Sequence, residues 1–317
     1  MIAKVAVVGS GYMGGGIAQV FALSGRQVLL ADASAEQALR SRERIIREAA
    51  DFAKRGLLPS DAEERVASAV SASASIETAV AEADLVEEAV PEILDLKHDV
   101  LRRISEATPP EAIIGSNTST ISIGTLAEVV SGPERFLGVH FSNPAPFIPG
   151  VEVIPHAGTA PDVAARVIDL LGQSGKTGVE ITDVTGFVLN RLQYALFSEA
   201  ARLVEEGVAT PESVDRIART TFGFRLPFFG PFAIADMAGL DVYDFCYRSL
   251  HDAYPDRFTA PAALTERVER GALGVKSGSG FLSTPPERLP DLIAYRDTAY
   301  AAMRELVERL GPPDVGY

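Results

Sequence analysis

The chain has 317 residues, 47% of them hydrophobic, enough to bury the core of one large domain or two of ordinary size. Its 29 Lys and Arg against 43 Asp and Glu leave a formal charge of -14, which repels nucleic acid and anionic membrane surfaces and argues against both as partners. A single cysteine, Cys246, excludes an internal disulfide and a Cys-rich zinc site, so no metal centre is expected, and this thiol reads as a buried core residue. The opening "MIAKVAVVGSGYMGG" reaches glycine too soon for a signal peptide, and no stretch approaches the roughly 20 apolar residues of a membrane span, so a cytoplasmic protein is expected.

From the N-terminus, short β-branched runs alternate with longer amphipathic runs, the pattern of a parallel sheet wrapped by helices. The first strand, "KVAVVG", runs into the turn "VAVVGSGYMGGG", where Gly9, Gly11 and Gly14 keep a G-x-G-x-x-G spacing at the start of a helix, "GGGIAQVFALSG". In such a turn the first glycine permits the bend, the second lets a pyrophosphate approach the backbone and the third lets the helix pack on the sheet. Met13 lies within the same turn and is expected beside the ligand. The second strand, "QVLLAD", ends in Asp32, about 20 residues past the turn, where a carboxylate would accept from ribose hydroxyls and repel a 2′-phosphate. The expected cofactor is therefore NAD rather than NADP.

"SAEQALRSRERIIREAADFAKRG" then predicts a long helix with Lys54 and Arg55 in its last turn and Gly56 beyond. Further strands are expected at "DLVEEAV", "AIIGSN", "RFLGVHF", "VEVIP" and "GVEIT". Glu92 and Lys97, in "EAVPEILDLK", read equally as a solvated helix face. Ser119 and Thr120 follow "AIIGSN" at the end of a strand, where ligands of doubly wound sheets gather, yet both are also ordinary helix caps.

His140 ends the strand "RFLGVHF", and Glu152 opens the next after the stiff connection "SNPAPFIPG", which could fold the two strands side by side. A carboxylate there would fix the imidazole tautomer and stabilise the protonated ring, as a general base for an alcohol requires. On its residues alone, His140 is also readable as a satisfied core histidine. His156, in the polar run "HAGTAP", reads as a loop residue with nothing to orient it, and His98 and His251 fall on helical patterns. After about residue 182 the strand pattern stops. "GFVLNRLQYALFSEAARLVEEGV" has apolar residues at i, i+3, i+4 and i+7 and predicts a buried helix, in which the amide of Asn190 must find partners. "TPESVDRIART" opens another with a Thr cap and Pro at its first position. The expected architecture is α/β, a Rossmann-like doubly wound N-terminal domain over 1–184 followed by an all-helical C-terminal domain over 185–317, with a cleft between them as the default binding site.

"GSGYMGGGIAQVFALSG", "NTSTISI", "HFSNPAPFIPGVEVI", "GFVLNRL" and "LGVKSGSGF" occur in the order and spacing of the L-3-hydroxyacyl-CoA dehydrogenase family, and this resemblance spans nearly the whole chain. It implies NAD-linked oxidation of an L-3-hydroxyl to a 3-ketone and a helical domain that pairs two subunits into a homodimer. Position by position, it makes His140 the general base and Glu152 its partner, with Ser119 and Asn190 holding the substrate oxygens. It also makes Asn117, Asn143, Glu92, Lys97 and Lys276 cofactor-binding residues.

Within the family, "FIPGVEVIPH" resembles the lambda-crystallin or L-gulonate 3-dehydrogenase branch, whose substrates are free hydroxy acids, whereas "GPFAIADMAGLDVYDF" resembles the thioester-oxidising branch. Arg47, Lys54 and Arg55 could meet the phosphates of CoA, or they could belong to a solvated helix laced with i,i+4 pairs. The expected substrate is a short L-3-hydroxyacyl group, with the CoA thioester preferred. A carrier-protein thioester, a free hydroxy acid and a catalytically silent, crystallin-like NAD-binding protein are the alternatives.

Overall fold

The computed structural model describes residues 2–311. The chain divides into two units, 1–195 and 196–317. In the first, eight strands, β1 (Lys4–Val8), β2 (Gln27–Ala31), β3 (Val70–Ala72), β4 (Leu85–Glu88), β5 (Ile113–Ser116), β6 (Phe136–Phe141), β7 (Gly150–Pro155) and β8 (Thr177–Glu180), form one sheet in the order β3-β2-β1-β4-β5-β6-β7-β8. Every pairing is parallel except β6 with β7. The strand order reverses between β1 and β4, which is where doubly wound sheets open a crevice for ligands.

Its helices are α1 (Tyr12–Leu23), α2 (Ala35–Lys54), α3 (Ala62–Ala69), α4 (Ile76–Val80), α5 (Leu94–Ala107), α6 (Ile123–Ala127) and α7 (Pro161–Gln173). Strand side chains alternate between two cores. Val5, Val7, Leu85 and Val139 pack with Ile17 and Phe21 of α1, Ile45 of α2 and Val167 of α7. Ala6, Val8, Val86 and Ile114 pack with Val80 of α4, Leu101 of α5 and Leu126 of α6. Ser34 caps α2 by accepting from the Gln37 amide, and the helix ends before Gly56, whose φ of 71° suits glycine. The one strand the sequence does not announce is β3, three residues of "VSA" without apolar alternation.

Beyond β8 the described chain is helical: α8 (Leu189–Glu205), α9 (Pro211–Thr220), α10 (Phe222–Arg225), α11 (Pro231–Ala238), α12 (Leu240–Ala253), α13 (Ala262–Glu269) and α14 (Leu289–Leu310). Thr210 caps α9 through the Ser213 amide, with Pro211 first in the helix. Two expectations need correction. α8 forms, but none of its residues is buried, because apolar periodicity marks a face that favours burial and does not itself supply a cover. Cys246, on α12, is exposed and is not a core thiol.

Candidate active site

The glycine turn sits at the switch point. Gly9 has a φ of 93°, and a Cβ there would lie 2.7 Å from the Ala89 carbonyl group. A Cβ at Gly14 would meet the Gly9 carbonyl oxygen at 1.9 Å, so α1 can start this close to the turn only with glycine at that position. Gly11, by contrast, faces open space. It is the N-cap of α1 and offers no side chain to the first turn, and the amides of Gly11, Tyr12 and Met13 have no acceptor among the described residues. Unpaired amides at a helix start favour an anion. Asp32 closes the turn from behind, its Oδ2 accepting from the Ser10 amide (2.7 Å) and hydroxyl (2.6 Å). These groups open on a cavity of about 810 Å³ whose wall includes Gly11, Met13, Asp32, Glu92, Asn117 and Ser119. Its size, its open glycine and its unsatisfied amides fit a dinucleotide.

The far wall is held by a buried ionic network. Lys97 is 1% exposed, and its ammonium donates to both oxygens of Glu88 (2.9 and 3.1 Å) and to the Val90 carbonyl (3.2 Å), with Glu92 Oε2 at 3.4 Å. Glu88 also accepts from the Ser116 hydroxyl and the Val90 amide. Glu92 Oε1 in turn accepts from the Thr118 hydroxyl (2.7 Å) and from the amides of Ser119 and Thr120 (2.8 Å each). Partial burial would raise the Glu92 carboxyl, but the hydrogen bond from Thr118, the Thr120 and Ser119 amides and the Lys97 charge outweigh it and lower it to about 2. Lys97 is enclosed by these partners rather than presented to the cavity, so its grip on the site runs through Glu92 and the Ser119 backbone.

His140 and Glu152 are direct register partners across the antiparallel β6–β7 pair, which brings their side chains together. The ring Nδ1 lies 2.7 Å from Glu152 Oε2. Glu152 Oε1 accepts from the amides of Val188 and Leu189 (2.9 Å each), which lead into α8. Burial alone would push Glu152 upward; the bonds from His140, Leu189 and Val188 together hold it below the usual carboxylate range. An ionised Glu152 can only accept, so Nδ1 is the nitrogen that donates, and Nε2 has no protein partner among the described residues. Phe187 covers the ring, centroid to centroid 5.7 Å. Asn190 Nδ2 donates to the Ser119 carbonyl (2.8 Å), and Asn117 Oδ1 accepts from the Phe141 amide (2.8 Å), tying the ends of β5, β6 and α8 together.

Asn143 is exposed on the loop 142–149, outside the lining of the cavity. Lys276 belongs to the second unit, where its ammonium pairs with Asp241. His156 is oriented after all: Nε2 meets the Pro133 carbonyl at 2.9 Å and Nδ1 accepts from the Gly158 amide, which fixes a loop and leaves neither nitrogen free. Several residues with a place in the site escaped the sequence reading. Ser10 anchors Asp32, Glu88 anchors Lys97, and Lys176 holds the loop 142–149 by donating to the carbonyls of Ala145 (2.5 Å), Pro146 (3.2 Å) and Ile148 (2.8 Å). The signal for Glu88 was the pair of acids inside an otherwise apolar strand, "DLVEEAV".

A glycine turn at the switch point of a doubly wound sheet, with an acid closing it and an oriented histidine three strands along on β6, defines an NAD-dependent oxidoreductase. Comparison with known proteins narrows that class. Residues 4–184 match the 3-hydroxyacyl-CoA dehydrogenase NAD binding domain and residues 186–284 the C-terminal domain of the same enzymes. The chain belongs to the 3-hydroxyacyl-CoA dehydrogenase family. It is 38% identical to the 3-hydroxyadipyl-CoA dehydrogenase of Escherichia coli over 90% of this chain and 60% of that protein. It is 37% identical to the 5-formyl-3-hydroxy-2-methylpyridine 4-carboxylate 5-dehydrogenase of Mesorhizobium japonicum over 97% of this chain and 99% of that one. Among solved structures, a 3-hydroxyacyl-CoA dehydrogenase from Archaeoglobus fulgidus superposes with a TM-score of 0.78 at 33% identity, covering 98% of this chain and 99% of its own. No helix of the described residues is long and apolar enough to cross a membrane.

Proposed function

We propose that the chain interconverts a short L-3-hydroxyacyl thioester of CoA and its 3-keto form, with His140 as general base. The observation that supports this is the 2.7 Å contact of His140 Nδ1 with a carboxylate held ionised, which leaves Nε2 as the proton acceptor. Bound NAD, held at the glycine turn and Asp32, would supply the hydride acceptor for C3. His140 Nε2 takes the 3-hydroxyl proton, and Glu152 stabilises the imidazolium that results. Ser119 and Asn190 position the substrate oxygens; their mutual hydrogen bond and the grip of Glu92 on the Ser119 amide fix that pair in place. Asn117 and Asn143 are assigned to the nicotinamide side, Gly9, Gly11, Met13, Gly14 and Asp32 to the adenosine and pyrophosphate side, and Glu92 to the cofactor wall. Lys97 is assigned an indirect part through Glu92, and Lys276 remains the cofactor-side lysine that the family pattern implies.

A second reading has its own support. Two of the basic residues named for CoA are matched with acids of α2, Arg47 with Glu43 (4.0 Å) and Arg55, just past the helix, with Asp51 (3.6 Å), which leaves a weaker cationic surface for CoA phosphates. The full-length match to the Mesorhizobium pyridine carboxylate enzyme points the same way, to a small free acid. The deciding assay follows NADH oxidation with acetoacetyl-CoA beside NAD reduction with 3-hydroxybutyrate and L-gulonate, and NAD turnover with the pyridine aldehyde. Turnover of the thioester alone is expected; turnover of the free acids alone would replace the first reading with the second, and silence with every compound would favour a non-catalytic NAD-binding protein.

We assign cofactor binding to residues 1–184 and subunit pairing to 185–317. The exposed apolar side chains Phe197 (64%), Phe245 (66%) and Leu310 (72%) support a homodimer, and sedimentation of the full chain at dimer mass is the expected result.

A further inference from the structure

Arg44, midway along α2, does not spend its whole guanidinium on its own helix. Nη1 pairs with Glu48 (2.9 Å), while Nη2 reaches across to the glycine turn and donates to the carbonyls of Ser10 (3.1 Å) and Gly11 (3.0 Å). The approach depends on a missing side chain: a Cβ at Gly15 would lie 2.6 Å from that nitrogen. Gly15 occupies a helix interior, where glycine costs about 1 kcal/mol against alanine, and the space it leaves is filled by the guanidinium.

The peptide groups of the turn are thereby fixed on the side away from the cavity. Ser10 gives its amide and hydroxyl to Asp32, and the Gly11 carbonyl accepts from both Arg44 and the Gly15 amide. The carbonyl oxygens, whose partial negative charge would oppose a bound anion, are turned onto a cation, and the unpaired amides of Gly11, Tyr12 and Met13 are left for the ligand. The guanidinium also adds a positive charge beside a turn otherwise flanked by Asp32. We propose that Arg44 is a positioning residue for the pyrophosphate of the bound dinucleotide, acting through the carbonyls of Ser10 and Gly11. This rests on NAD binding at the glycine turn.

The test compares two ligands on the full-length protein, ADP-ribose, which contains the pyrophosphate, and adenosine, which does not. Their affinities are read by calorimetry and ligand-observed NMR, with apo melting temperatures recorded for each variant. Arg44→Met is expected to raise the Kd of ADP-ribose about tenfold and to leave that of adenosine within about twofold. Arg44→Lys, with one ammonium for two carbonyls, is expected in between. Gly15→Ala keeps the arginine but displaces it, and should reproduce the selective loss for ADP-ribose. Equal weakening of both ligands, or unchanged ADP-ribose affinity in Arg44→Met, would overturn the proposal. A wild-type chain that binds neither ligand would overturn the NAD reading and this inference with it.

Discussion

Glu87 and Glu88 are neighbours on β4, and both are fully buried, but the pleat sends them to opposite faces of the sheet. On the α5 face, Glu88 meets Lys97, the Ser116 hydroxyl and the Val90 amide. On the α1 face, Glu87 lies in the notch above Gly115, where a Cβ would come within 2.4 Å of its Oε2, and neither of its oxygens has a hydrogen-bond partner. Burial, reinforced by the charge of Glu88 and only partly opposed by Lys97, pushes Glu87 well above the usual carboxylate range. Equal burial therefore has opposite consequences, set by what the facing helix supplies. The α5 face, which also carries His140 under Phe187, adds to its apolar core a polar network that reaches Ser119; on the α1 face Glu87 sits unpaired among apolar side chains.

The sharpest way to test that division is His140→Gln, which should lower kcat by about 10²- to 10⁴-fold with NADH affinity nearly unchanged. Near-normal turnover would show that the polar face does not carry the chemistry. Glu88→Gln should then lower unfolding stability by about 3 kcal/mol in urea, because Lys97 is left buried with its main partner gone, and Lys97→Met in that background should recover part of the loss. Glu87→Met should act with the opposite sign, raising stability by about 1 to 3 kcal/mol as an unpaired polar group leaves the core. An unchanged or lower urea midpoint in this variant would erase the contrast between the faces.

The pH profiles separate the two faces further. Glu87 keeps its proton in the fold at pH values where the unfolded chain has released it. Glu87 therefore burdens the fold least below the ordinary value of 4.5, and stability falls as pH rises through the raised folded value. Glu87→Met should flatten that decline. Glu92 behaves in reverse, contributing above 4.5 and losing its contribution as pH falls through about 2. With its side chain 34% exposed, solvent limits this to less than about 1 kcal/mol, so Glu92→Gln should give the smallest change, confined to acid unfolding curves.

Much of this was readable before any coordinates because it is local. The strand-turn-helix around Gly9 and Asp32, the end of α2 before Gly56 and the meeting of His140 with Glu152 follow from spacing along one or two adjacent elements. Contacts set by the third dimension were not readable. The sequence gives Arg44 the look of a solvated helix charge, and only the bare flank at Gly15 shows that it reaches the turn. Glu88 and Lys97 are separated by a strand end, a loop and a helix turn, a distance that no periodicity reports. The apolar stripe of α8 announced a helix correctly and its burial wrongly, since hydropathy describes one partner of a contact and not the other.

Three glycines in succession, Gly14, Gly15 and Gly16, sit at steps of about 100° around α1. A Cβ on the first would strike the Gly9 carbonyl, on the second Arg44, and on the third would crowd Ala145 and Pro146 (3.2 Å each) of the loop that Lys176 holds. At these three positions, then, α1 touches its surroundings with bare backbone. Side chains normally absorb small displacements by changing rotamer, and at these three positions α1 contributes none. The glycine turn, the middle of α2 and the proline loop bearing Asn143 thus all pack against one short stretch of α1 that puts no side chain of its own between them.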